Sequence, residues 1–525
     1  MNKLFLYIIL LIPTFLVAQI RLQNGNTRDW WDITYYDLTI EPNIEQKTLE
    51  GKQILYFTTQ PDALRNMQID LQQSMQIDSM FVNEKRIQPT SVNAKFYIFH
   101  LEETMLKAEN QMVIYFHGKL PVAANAPWDG GWVFAKDKKQ RDFVGLACET
   151  DGASIWMPCK EDWKDEPDHG GKMSIIVPKG MTAVSNGNLV AEKPYSDTKT
   201  IFTWEVKNPI NIYNITTYLG YYQPIKKIFK GKKGDLSMQF WALDYDVEKA
   251  GQKMKQAEKT VEVFESWLGA FPFYEDGYKL VESPYEGMEH QTAIAYGDDF
   301  QNGYSGQDIS GSGVGLSWDY IMVHETGHEW FGNSITATAV TEMWIHESFT
   351  TYCETLFVES TQGKEAAQKF ILGERRLVEN KAPIIGEYGG DMYFKGANMI
   401  HTLRQWMNDD AKFKKMLLDM NQTFYHKQIS SSEMENYITN YTKLPLKNFF
   451  EQYLRTTKIP ILQYRINKKN VEYKWDNVVS RDFEMPVKLT NGTWIKPKSK
   501  WKKIKIKPED FSIDPNFYIQ KSAVN

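Results

Sequence analysis

The spacing of hydrophobic residues changes twice along this chain, so no single-layer fold accommodates it. From about Asp32 to about Leu219 apolar and polar residues alternate, as in Tyr35-Tyr36-Asp37-Leu38-Thr39-Ile40 and Gln111-Met112-Val113-Ile114-Tyr115-Phe116, with Gly, Pro and Asn between the runs. A period of two places one face of a strand on a core, and many short strands of this kind read as an all-β domain. After about Trp241 apolar residues recur at three- and four-residue steps in Val247 to Gly269, Trp318 to Gly332, Ile345 to Gly363 and Asn398 to Met416. That is helical spacing. Beyond Pro460 alternation returns in Ile461 to Trp475 and Met485 to Ile506. At 525 residues the chain exceeds one ordinary core. The expected divisions are a leader at 1–18, an N-terminal β domain at 19–219, an α-rich domain at 220–455 and a small C-terminal β module at 456–525.

The leader follows from the first residues: Lys3 is positive and Leu4 to Ala18 is almost wholly apolar. A run of that length is short for a membrane-spanning helix and fits a cleavable signal peptide, with the cut expected after Ala18. Cys is absent from the residue after the cut, which is Gln19, so no lipid anchor is indicated, and the expectation is an exported enzyme, periplasmic or extracellular, without a stable membrane anchor. Three cysteines do not make a disulfide scaffold. Cys148 and Cys159 either pair or remain buried thiols. A net charge of -5 gives no global attraction to nucleic acid. Lysines stand at 496, 498, 500, 502, 503, 505 and 507, and the even-numbered ones are read as the solvated face of an edge strand, with Trp501 on the other face.

The chemistry concentrates in His324-Glu325-Thr326-Gly327-His328. On a helix, residues four apart share a face, so His324 and His328 can present ring nitrogens to one ion. Glu325 then stands beside the open coordination position, where it can take a proton from water. Glu347, at the opening of the next helical run, offers a third ligand. Two histidines and a carboxylate leave a fourth position free, which is the arrangement of a catalytic zinc site and not a structural one.

Over Val323 to Asn333, including Trp330-Phe331-Gly332-Asn333, and over Met343 to Tyr352 the chain closely resembles the M1 family of zinc aminopeptidases, and a looser resemblance runs from about Tyr35 to about Pro460. The resemblance implies an α+β multidomain fold: an N-terminal β saddle, a thermolysin-like zinc catalytic domain and, here, a short C-terminal β module in place of the large helical domain of many members. It implies one Zn²⁺ per chain and peptide substrates with a free amino end. Glu286-Gly287-Met288-Glu289-His290 resembles the family's Gly-x-Met-Glu-Asn exopeptidase motif, whose glutamate, here Glu289, binds the substrate's ammonium group. Gly287 and Met288 fall within that substrate-binding segment. His290 and Glu286 depart from the pattern. Glu149 resembles a second amine-binding carboxylate contributed by the β domain. Tyr393 resembles the family tyrosine that hydrogen-bonds the oxyanion, with Tyr388 as its rival.

The function expected is therefore hydrolysis of the first peptide bond, with Glu325 as base and Tyr393 as oxyanion donor. Alternatives on the same scaffold are a zinc endopeptidase, an epoxide hydrolase, and an inactive exported peptide-binding protein. Glu289 argues against an endopeptidase, because an interior peptide segment leaves that carboxylate unpaired.

Overall fold

The computed structural model describes residues 25–60, 65–386, 389–467 and 470–524. The expected leader at 1–18 and the cut before Gln19 lie outside them. Among the described residues no helix is long and apolar enough to cross a membrane.

The β domain is organised around Trp31–Asn43, which pairs antiparallel with Thr48–Thr59 and parallel with Gly171–Pro178 in the centre of an eight-stranded sheet. Its alternation is visible in burial: Trp31, Ile33, Tyr36, Leu38 and Ile40 are all buried, with a register shift between Ile33 and Tyr35. A four-stranded sheet carries Asp142–Ala147 between Gly131–Lys136 and Thr217–Gly220. This second sheet is pressed onto the next domain. At Gly145 an added Cβ would stand 2.8 Å from the Tyr285 ring and 3.0 Å from Pro284, so only glycine permits the approach.

A five-stranded sheet follows, running Tyr222–Gly231, Gly234–Leu243, Tyr278–Glu282, Ile294–Tyr296 and, at its edge, Gly287–Met288. Against it lie helices α1 (Val247–Leu268) and α2 (Tyr320–Gly327), with α3 (Trp344–Gln362) packed on both of them and α4 (Phe394–Met407) packed on α3. Buried polar bonds join the β domain to this body. Asn186 Nδ2 donates to the Gln291 carbonyl at 2.6 Å, Lys279 Nζ to the Gly187 carbonyl at 2.5 Å, and Asn214 Nδ2 to Asn333 Oδ1 at 2.9 Å. The C-terminal module is a four-stranded sheet of Lys502–Ile504, Asn470–Asp476, Ile461–Asn467 and Gln520–Ala523.

Several sequence-based bounds change. The helix expected from Trp318 to Gly332 is confined to α2: Asp319 caps its start by accepting the Met322 N–H at 3.1 Å, and Gly332, at φ 128°, turns the chain toward Ile335–Ala337. The run from Asn398 to Met416 is two helices, because Asn408 adopts the left-handed conformation and Asp409 caps Asp410–Thr423. The lysine-rich stretch is not one strand. Only Lys502–Ile504 pairs, buried Pro497 lacks the N–H a ladder needs, and Lys502 and Lys503 are both exposed. Trp501 is covered by Arg465 at 4.6 Å and Lys474 at 5.2 Å. Cys148, Cys159 and Cys353 are buried free thiols.

Candidate active site

Helix α2 carries His324 and Glu325, and His328 caps its C-terminus while still in right-handed helical geometry, so the four-residue spacing keeps both imidazoles on one face. Gly327 lets α3 come close: a Cβ there would stand 3.1 Å from the Thr350 methyl. Glu347 sits in the first turn of α3 and points back at α2. Its Oε2 is 3.5 Å from His324 Nε2 and 3.4 Å from His328 Nε2, and the two Nε2 atoms are 3.2 Å apart.

The chemistry of these donors tests whether a cation fits. His324 Nδ1 meets the Glu354 carboxylate at 2.7 Å and His328 Nδ1 meets the Phe331 carbonyl at 2.9 Å. Both partners are acceptors, so each Nδ1 carries the proton and each neutral ring turns a lone pair inward. Glu347 Oε2 is buried with no hydrogen-bond partner among the described residues. With both rings neutral, three acceptors thus converge on one point. Donors held about 2.0 to 2.1 Å from one tetrahedral Zn²⁺ stand about 3.3 to 3.4 Å from each other, and the three measured separations bracket that value. The residues fit the ion.

Electrostatics point the same way. Glu149, Glu289, Glu325, Glu347 and Glu354 are all buried around two imidazoles. Burial opposes charge on His324 and His328, yet the Glu347 and neighbouring carboxylates overcome it, raising His324 well above the imidazole range and His328 to about 9. Burial would raise Glu347 too, but the two histidines outweigh it and hold its carboxyl far below the usual range. The excess of acid calls for a cation.

Glu325 faces this tripod from the side. Its Oε1 would lie 2.6 Å from a Cβ at Gly287, so the carboxylate rests on bare backbone of the edge strand. Burial, followed by repulsion from Glu289 and Glu347, outweighs the pull of the histidines and lifts its carboxyl to about 7, the range of a working general base. Acceptor atoms of Glu289, Glu325 and His328 lie within 4.8 Å of one another, as do those of Glu149, Glu289 and Glu347. The β domain's Glu149 therefore reaches the same cavity. Burial and then the nearby Glu289 and Glu347 push Glu149 well above the usual carboxyl range, and its Oε1 has no partner. A group with several N–H donors and a positive charge would satisfy this wall.

Tyr393 immediately precedes α4, and its ring stacks on His324 with centroids 6.0 Å apart. Gly396 brings α4 against α3, where an added Cβ would collide with Ser348 Oγ at 1.8 Å, and Ser348 Oγ donates to the Met392 carbonyl at 2.6 Å. Tyr388 lies outside the described residues. Met288 is buried on the edge strand. His290 does not enter the cavity's polar wall: its Nδ1 pairs with Tyr218 at 2.7 Å, and burial depresses its pKa to about 3, so it is a neutral core ring. Glu286 is half-buried, its carboxylate bonded by the Tyr304 and Ser305 hydroxyls.

Sequence reasoning missed the supports. Glu354 follows Glu347 by two helical turns, a spacing that could have marked it. Tyr320 stacks on His324 at 5.6 Å. Tyr213 donates to Glu289 Oε1 at 3.0 Å, and Asn333 Nδ2 holds the Glu289 carbonyl at 2.9 Å. No local pattern signals the last two.

Comparison with known proteins gives two family-model matches: "Peptidase family M1 domain" over residues 253–453 and "Peptidase M1 N-terminal domain" over residues 33–219. Among curated relatives, Aminopeptidase M1-D of Oryza sativa subsp. japonica is 21% identical over 75% of this chain and 47% of its own length. Glutamyl aminopeptidase of Sus scrofa is 21% identical over 84% of this chain and 49% of its own. The chain thus spans about half the length of these relatives. Among solved structures, an M1 zinc metallopeptidase from Deinococcus radiodurans superposes with a TM-score of 0.66 at 16% identity, covering 82% of this chain and 95% of that one. The same fold has been crystallised there with a Tyr-Ser-Ala substrate.

Proposed function

The chain belongs to peptidase family M1, and from that premise we propose that it is a zinc-dependent aminopeptidase that removes the first residue of peptides with a free amino end. One observation carries the proposal: Glu149 and Glu289 close the cavity beside the His324, His328 and Glu347 tripod, with their acceptor atoms within 4.8 Å of those of Glu347. A terminal ammonium pairs with such a wall, whereas a neutral interior segment leaves two buried carboxylates unmatched.

His324, His328 and Glu347 would hold the Zn²⁺, which supplies Lewis acidity toward the peptide carbonyl and toward water. Glu149 and Glu289 bind the ammonium group and so set which carbonyl lies at the tripod. The Glu325 carboxylate takes a proton from water as its oxygen bonds to the carbonyl carbon, then delivers that proton to the departing amide nitrogen. The Tyr393 hydroxyl donates to the carbonyl oxygen as negative charge builds on it, an interaction stronger in the transition state than in the bound substrate. Glu354 and the Phe331 carbonyl keep both imidazoles in the tautomer that offers Nε2.

The direct test is a panel of fluorogenic amino-acid amides with and without chelator. Chelator-sensitive turnover that returns with Zn²⁺ is expected. Turnover indifferent to chelator would sink the proposal. Export belongs to the same reading, and mass spectrometry of the mature protein is expected to find Gln19 first.

A further inference from the structure

We propose that Glu286 makes this site selective for a cationic side chain, lysine or arginine, at the first or second residue of the substrate. The inference rests on the peptidase reading of the site and names a substrate class for it.

Glu286 precedes the edge strand Gly287–Met288, and its carbonyl accepts the Gly297 N–H at 2.7 Å, which fixes the backbone. The next residue, Gly287, is the one on which the Glu325 carboxylate rests. The Glu286 backbone is therefore fixed one residue from the glycine on which the candidate base rests. Tyr304 Oη donates to its Oε2 at 2.5 Å and Ser305 Oγ to its Oε1 at 2.8 Å. The Tyr304 ring packs edge-on against Tyr320 at 5.4 Å, and Tyr320 stacks on His324, so two rings link the carboxylate to the tripod.

The two hydroxyls come from a tight turn built for the purpose. Tyr304 and Gln307 exchange backbone bonds of 2.8 and 3.0 Å, and the residues between them, Ser305 and Gly306, have φ of 47° and 82°. That is the type I′ pattern, in which glycine or asparagine is the usual choice at the first central position. Serine tolerates it here at a conformational cost, and its hydroxyl reaches the carboxylate.

Both donors are neutral. Among the described residues no lysine, arginine or histidine forms an ion pair with Glu286, whose side-chain partners are these two hydroxyls. An ionised carboxylate has about four acceptor positions, of which two are used. The turn orients the charge without cancelling it. Being half-buried, the charge acts through a lower effective dielectric than an open surface would give. An ammonium or guanidinium on a nearby substrate side chain completes the set.

The experiment uses the Zn²⁺-loaded chain and four peptides that differ only in lysine or norleucine at the first or the second position. Calorimetric Kd values, taken for wild-type Glu286 and its variants in a Glu325→Gln background so that the peptides stay whole, decide the proposal, and product release by the chain with Glu325 intact decides the peptidase reading beneath it. Wild type is expected to bind the lysine peptide roughly 5- to 30-fold more tightly at one of the two positions, and Glu286→Gln to bring that ratio below about 2-fold with equal metal content. Glu286→Lys should invert it. A wild-type ratio near one at both positions, or a preference that survives in Glu286→Gln, overturns the proposal. Binding selectivity without release of the first residue would keep the cation site and remove the peptidase reading.

Discussion

On the reading proposed above, the donors assigned to the metal come from a single stretch, His324 to Glu347, on two packed helices, whereas the carboxylates assigned to the substrate amine come from two separate bodies. Glu149 follows a strand of the β domain, and Glu289 follows the edge strand of the central sheet. The tripod is secured locally: Glu354 is two turns along α3 from Glu347, and the Phe331 carbonyl is three residues beyond His328. The amine wall depends on long-range bonds, from Asn333 to the Glu289 carbonyl and from Tyr213 to its carboxylate. On this proposal, reaction chemistry is thus tied to helix geometry and substrate register to domain docking. Metal content and peptide register should be separable by mutation.

The largest effect should come from the metal side. Glu325→Gln is expected to lower kcat about 10²- to 10⁴-fold while retaining one zinc per chain, because the ligands are untouched and proton transfer is lost. Glu347→Ala should lose the metal first, so elemental analysis of both variants distinguishes base from ligand. Loss of zinc in Glu325→Gln would merge the two roles and break the division.

Tyr393→Phe removes one oxygen and should reduce kcat about 10²- to 10³-fold with KM little changed. A near-normal rate would move the oxyanion role away from Tyr393. On the amine side, Glu289→Ala should lower kcat/KM roughly 30- to 1,000-fold through loss of a desolvated ion pair, with zinc content unmoved. The smallest change sharpens the comparison: Glu354→Gln should weaken zinc affinity about 10- to 100-fold, read by competition with a metal indicator, and leave preference for a free amine intact.

This division also explains what the sequence could reveal. Periodicity disclosed the β, α and β order because burial of one face imposes it, and the four-residue spacing of His324 and His328 is itself a helix statement. Helix ends were less legible: Asp319 acts through a side-chain cap and Asn408 through a left-handed backbone, neither of which a hydrophobic pattern records. The lysine run from 496 to 507 alternates in places, yet Pro497 prevents the ladder. Glu354 was within reach of a spacing argument. Tyr213 and Asn333 were not, since their partner Glu289 meets them only through tertiary packing. His290 and Glu286 stood out as departures from a motif, but their surroundings, a core tyrosine and a tight turn, could not be inferred from neighbours in sequence.

The central claim is that charge pairing at Glu149 and Glu289 sets the register of cleavage at a metal site that would otherwise accept any peptide carbonyl. It is tested by giving the Zn²⁺-loaded protein two identical pentapeptides, one free and one N-acetylated, and following products by mass spectrometry over time. Acetylation removes the positive charge and adds bulk, so the carboxylate wall loses its ammonium partner. Stepwise release of single residues from the free peptide, with the acetylated one left whole, is the predicted result. Internal cuts in the acetylated peptide would contradict it and show that the carboxylate wall does not set the register.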